Sequence, residues 1–121
     1  MILVDSSVWI DHLRVTEPEL SRVLLLGQVI QHGFVTAELA LGSIANRDQL
    51  IAGLAALPQI DKAVEHDLRG FITEAALAGA GIGFVDAHLL HACYRHKHKL
   101  WTRDKRLRTQ AERLGCAYSH A

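Results

Sequence analysis

Cysteine is scarce in this chain. Cys93 and Cys116 are the only two, and neither lies in a CxxC or Cys/His zinc pattern. A disulfide-stapled scaffold and a zinc module are excluded, and the pair reads as buried thiols of a reducing compartment. There is no basic leader ahead of a long apolar stretch, because Asp5 interrupts MILV at the start. Nothing there reads as a signal peptide. The run VLLLG is far too short to span a bilayer. The expectation is a cytoplasmic protein with no membrane attachment. Net charge is also missing: 13 basic and 13 acidic residues cancel, so bulk charge does not announce a nucleic-acid partner. No internal repeat, low-complexity tract or linker divides the chain. GAGIG sits between two helical patterns rather than after a strand and lacks the GxGxxG spacing, which excludes a dinucleotide fingerprint.

What is present suits one domain over residues 1–121, with half of its residues hydrophobic. A chain of this length can bury roughly two thirds of its unfolded surface, enough for a core without disulfides or structural metal. The patterning alternates. MILV reads as a short buried strand, with Asp5, Ser6 or Ser7 capping a helix through SVWIDHL. Pro18 opens a helix to about Leu26. A short strand near Gly33 to Val35 leads into a helix carrying Glu38. Asn46 caps RDQLIAGLAAL, and Pro58 ends it. A longer helix covers about Ala63 to Ala78. Asp86 starts a helix to about His96, KLWT is a strand, KRLRTQAERLG is a helix closed by Gly115, and CAYS is a last strand. This alternation predicts an α/β fold: a central, mostly parallel sheet flanked by helices.

Four acids occupy matching places. Asp5 follows the first strand directly, where residues line the ligand crevice of open α/β sheets; a helix N-cap is its simpler reading. In GFVDAHLLHACY, the helical neighbours of Asp86 are Leu89, Leu90 and Cys93, so it projects from the apolar side at the helix start. The helix dipole favours an anion there, but an N-cap does not explain an acid that also faces inward. Asp104 leaves the strand KLWT together with Thr102, and a turn residue is its plain alternative. Glu38 is the least ordinary, a carboxylate in the nearly apolar run FVTAELALG. Two unit charges about 4 Å apart repel by about 4 kcal/mol at an effective dielectric of 20. Clustered carboxylates therefore either protonate or share a cation. An all-oxygen ligand set suits magnesium or manganese better than zinc.

These residues carry a family resemblance. VDSSVWIDHL, TAELALG, IGFVDAHLLHA and LWTRDKRL, in that order across essentially the whole chain, resemble the PIN-domain nucleases, and most closely the VapC-like toxins of bacterial toxin–antitoxin pairs. The resemblance implies a PIN-like domain, a homodimer, an antitoxin that covers the active site, and RNA cleavage leaving a 5′ phosphate. By it, Asp5, Glu38, Asp86 and Asp104 match the acidic tetrad, and Ser6 or Ser7 and Thr102 match small hydroxyl positions near it. Magnesium (or manganese) on Asp5 and Asp86 would position a water for in-line attack on a phosphodiester. Glu38 or Asp104 would orient that water or take its proton, with Glu38 and Asp104 acting partly through water. A PIN-type RNA-processing nuclease without an antitoxin, or a non-catalytic RNA- or protein-binding module, are the alternatives. Four intact acids argue against the last.

The remaining features are weighed against ordinary surface and core. The C-terminal third is basic, and Arg103, Lys105 and Arg106 adjoin Asp104, where they would hold flanking phosphates or simply be solvated helix charges. His88, His91, Arg95 and His98 form one stripe that reads as a solvated polar face rather than a transition-metal site. Asp11 reads as a salt-bridge partner, and Trp9 and Trp101 as core or dimer surface. Leu50, Ile51, Leu54 and Leu57 form an apolar stripe that suits either the core or a groove for a partner helix.

Overall fold

The first strand, β1 (Ile2–Val4), is buried at every residue. That is what a central parallel strand covered on both faces requires, and it explains why ILV shows no alternation. In the computed structural model, which describes residues 1–120, β1 pairs in parallel with β2 (Val29–Ile30) on one side and β3 (Lys99–Trp101) on the other. Single parallel bridges, Gln31 to Gln59 and Leu100 to Ala117, extend the sheet at its two edges. Seven helices among the described residues surround it: α1 (Ser6–Arg14), α2 (Pro18–Leu25), α3 (Gly33–Leu41), α4 (Arg47–Ala55), α5 (Glu65–Glu74), α6 (Phe84–His96) and α7 (Lys105–Arg113). None is long and apolar enough to cross a membrane. The α/β architecture with a parallel sheet is the one the patterning predicts. Trp9, Trp101, Cys93 and Cys116 are all in the core, and both thiols are free.

Several boundaries differ from the sequence expectation. The strand expected near Gly33 to Val35 is instead Val29–Ile30, and Gly33 already opens α3. Gly27, at φ +68°, turns the chain out of α2 early enough for Gln28 O to accept from Ile2 N and start the pairing. The helix expected over Ala63 to Ala78 is shorter, because Ala76 takes a left-handed φ of 54° just beyond α5. Asn46 stands at the N-cap of α4, but its side chain makes no capping bond. CAYS forms one bridge rather than a strand, held by Leu100 N to Cys116 O at 2.7 Å and Tyr118 N to Leu100 O at 2.8 Å. Gly115, at φ +74°, does end α7 as expected.

The stripe of His88, His91, Arg95 and His98 is solvated only in part: Arg95 is exposed and His98 half-buried, but the histidines nearer the start of α6 are packed. His88 is only 4% exposed, and His91 stands edge-on to the Phe71 ring at 5.2 Å. The reason is that α6 is enclosed on several sides, with Ala87, His88, Leu89, Leu90, Ala92 and Cys93 all buried. The leucine stripe divides as well. Leu54 joins the core, while Leu50, Ile51 and Leu57 are half-buried.

Candidate active site

Asp5 is where sheet and helix meet. Its backbone N–H donates to Trp101 O at 2.9 Å, tying the exit of β1 to that of β3. Its carboxylate caps α1, with Oδ1 accepting from Ser6 N at 2.8 Å. Oδ2 accepts from the hydroxyls of Ser7 and Thr102, each at 2.8 Å. Both readings of Asp5 therefore hold together: it is an N-cap, and it lies at the carboxyl ends of two adjacent parallel strands. The side chain is buried and locked by three donors at 2.8 Å.

The hydroxyls form a small network around it. Ser7 Oγ accepts from Arg103 N at 3.0 Å, and Thr102 Oγ1 accepts from Asp104 N at 3.1 Å. Ser6 Oγ is farther from Asp5, at 3.4 Å. Of the two serines left open by the sequence, Ser7 is the one that bridges the strand ends. Arg108 adds a support that sequence reasoning missed: it donates to Thr102 O at 2.9 Å. Its only signal was its position, one turn into the basic helix that starts after Asp104.

The other acids close in from three helices. Asp86 lies in the first turn of α6, two residues beyond where the helix begins. Burial pushes its carboxyl above the ordinary range, with the charges of Asp5 and Asp104 adding to the rise and the Gly83 backbone opposing it. Glu38, on α3, is raised by burial first and then by Asp5 and Asp86, with Ser6 working the other way. Yet its side chain is solvent-exposed. The two observations agree if its outer side meets water while its inner side is crowded by acids. The expectation of a carboxylate sunk in an apolar helix face is thus revised: the buried residues of α3 are Val35 and Leu39, and Glu38 stands at the crevice rim. Asp104 caps α7, with Oδ1 accepting from Leu107 N at 3.0 Å. The charges of Asp5 and Asp86 reach Glu38, and those of Asp5 and Asp104 reach Asp86.

Does this set fit a cation? Among the described residues, no three acid, histidine or cysteine side chains form a ready-made cage. A caged ion of the zinc type does not fit. A hard dication that keeps several waters and uses one or two carboxylates does fit, because the donors are all oxygen and the charge of Asp5 bears on both Glu38 and Asp86. Asp5 and Asp86 are the two most enclosed of the four.

The basic residues separate. Arg103 is committed to ion pairs with Asp11 at 2.6 Å and Glu17 at 2.7 Å, so Asp11 is a salt-bridge residue as expected. Lys105 is exposed. Arg106 is exposed and lies over Gly81, where a β-carbon would come within 3.1 Å of its Nη1.

Fold and site together define an α/β protein with a carboxylate crevice at the ends of parallel strands. No family model matches the chain. Ribonuclease VapC32 of Mycobacterium tuberculosis, in both strain CDC 1551 / Oshkosh and strain ATCC 25618 / H37Rv, is 41% identical over 118 residues, spanning 97% of this chain and 95% of the relative. The chain belongs to the VapC-like family of PIN-domain nucleases.

Proposed function

We propose that this protein is a magnesium- or manganese-dependent endoribonuclease and the toxin of a toxin–antitoxin pair, acting as a homodimer. The observation that carries the reading is the gathering of Asp5, Glu38, Asp86 and Asp104 around the ends of β1 and β3, in a chain similar along nearly its whole length to a protein named as a ribonuclease. Asp5 and Asp86 would hold the metal. When bound, it supplies charge neutralisation for an anionic phosphodiester and an acidified water. Ser7 and Thr102 fix the Asp5 carboxylate so that it does not have to reorganise on binding. Glu38, raised above the ordinary carboxylate range and open to solvent, accepts the proton of the attacking water. Asp104, whose Oδ1 already serves Leu107 N, orients rather than reacts. Lys105 and Arg106 hold flanking phosphates, and Arg103 does so only if it leaves Asp11 and Glu17.

The antitoxin needs a different surface. A groove of about 700 Å³ begins at Glu38 and runs over Ile10, Leu13, Leu39, Ile44 and Leu50. An apolar partner segment lying there would bring a cationic side chain to the acids. Leu54, once a candidate anchor, is in the core and takes no part.

The test uses the purified protein free of partner. Magnesium-dependent cleavage of single-stranded RNA, abolished by EDTA and in Asp86→Asn, supports the reading. Cleavage that survives in Asp86→Asn, with contaminating nuclease excluded, overturns it.

A further inference from the structure

Beside the acid crevice, the first turns of α3 and α6 present an aromatic surface that the proposed chemistry does not use. Phe34 and Phe84 face each other with ring centroids 6.2 Å apart and planes 35° off parallel. His88 stands edge-on to both, 4.7 Å from each. His32 lies behind, 5.1 Å from Phe34, with Nδ1 accepting from Phe34 N at 3.0 Å. The cluster is built on buried imidazoles and is open at its top, where Phe84 is 65% exposed. Lys62 brings a cation to the same place: its ammonium is 5.6 Å from the Phe34 centroid. It also occupies the space a β-carbon on Gly33 would need, 2.8 Å from that position.

A lone exposed phenylalanine needs no explanation. Three adjoining rings with a lysine at their edge are a different matter, and so is their location. Phe84 precedes Asp86 by two residues on α6, and Phe34 precedes Glu38 by one helical turn on α3. We propose that Phe84, backed by Phe34 and His88, is the stacking platform for a base of the substrate RNA next to the scissile phosphate, with Lys62 on the adjoining phosphate. This rests on the ribonuclease reading above. Bringing a single-stranded backbone into a crevice splays its bases outward, and a ring at the rim captures one without reading its identity. The lysine favours a polyanion over an apolar protein segment as the occupant.

The experiment compares kcat/KM on a single-stranded RNA with kcat/KM on bis(p-nitrophenyl) phosphate, a diester without bases. In Phe84→Ala the RNA value should fall about tenfold more than the diester value, the scale of one base–aromatic stack. Phe84→Tyr should restore the ratio and Phe84→Leu should not. An abasic site beside the cleavage position should lower wild type and leave Phe84→Ala unaffected. Equal losses on both substrates, rescue by leucine, or a changed sedimentation coefficient (which marks a protein interface) would each overturn the platform. A separate arm needs no cleavage: 2-aminopurine in a single-stranded RNA, in EDTA, should be quenched by wild type and not by Phe84→Ala. If wild type quenches but never cuts, the ribonuclease reading fails alone. If it cuts but quenches no more than Phe84→Ala, the platform fails alone.

Discussion

The crevice and the groove share helix α3 but are held in opposite ways. In the crevice, polar groups from distant parts of the chain bind one another, as when Thr102 donates to Asp5 across 97 residues of sequence. Its hydrogen bonds are satisfied and its charge is in excess. In the groove, helices near in sequence leave apolar side chains open, with Ile10 44% and Leu13 41% exposed. Its shape is set and its apolar surface is unmatched. On the reading proposed above, a cation would complement the first and an apolar partner segment the second. Changes in the apolar part of the groove should therefore leave cation binding in the crevice intact.

The largest effect expected is on cleavage. Asp5→Asn and Asp86→Asn should each lower kcat on RNA by on the order of a thousandfold, the scale of losing one preorganised group at a reacting centre. Their apo stabilities should differ. Asp86→Asn removes a charge from a repelling set and should melt at or above wild type. Asp5→Asn replaces a carboxylate that accepts from three donors, so it should gain nothing. Thermal melts in EDTA, beside RNase assays, check both. A gain in Asp5→Asn equal to that in Asp86→Asn would mean the hydrogen-bond network does not anchor the crevice.

Next in size is metal-linked stability. A cation that binds only the folded state raises stability by about 2.7 kcal/mol at a hundredfold excess over Kd. Magnesium should deliver this to wild type and distinctly less to Glu38→Gln. Equal melting shifts in the two would place Glu38 outside the metal's field. A groove variant such as Leu13→Glu should keep the full shift.

Much of the crevice was legible in the sequence because its signals are local. Asp5 and Asp104 follow strands directly, and Asp86 opens a helix pattern. Glu38 stood out for a reason that proved incomplete: the run around it is apolar, yet it faces the rim, and Leu41 in the same run is 89% exposed. What was not legible depends on packing between elements. A two-residue strand such as Val29–Ile30 has no period to read. The stripe argument assumes one wet face, and α6 has none at His88. The choice of Ser7 over Ser6 is set by how α1 leaves the sheet, and no spacing rule encodes that. The commitment of Arg103 to Asp11 and Glu17 joins residues 86 and more positions apart.

A third effect, smaller again, breaks the comparison from the groove side. Leu13→Glu puts a charge where an apolar partner would lie. It should weaken antitoxin binding by about tenfold, or about 1.4 kcal/mol, and change folding stability by less than about 1 kcal/mol because the side chain is already part-exposed. RNase activity of the free protein should not move. Titration with the proposed antitoxin by calorimetry measures it. Unchanged affinity would remove the groove as the docking surface, and lost RNase activity would show that groove and crevice are coupled after all.

The smallest effect is a pH slope from the wall behind the aromatic cluster. Burial, with His88 and Lys62 as positive neighbours, holds His32 down at about 4, so it is neutral in the fold at neutral pH. The unfolded chain takes up a proton near the ordinary histidine value of about 6.5. Between these values the unfolded state binds more protons, so stability falls as pH drops through that window. Going from roughly pH 7.5 to 5.5 should cost about 1 kcal/mol from this one group. Glu38 and Asp86 have the opposite sign: their raised values destabilise the fold as pH climbs above the ordinary carboxylate range. Other buried histidines share the sign of His32, so a difference measurement is needed. His32→Asn keeps an N-cap acceptor for Phe34 N and removes the titration. Urea midpoints of wild type and His32→Asn should converge as pH falls, whatever constant offset the lost ring packing adds. Parallel curves across the window would mean His32 takes up its proton in the folded state as readily as in the unfolded chain.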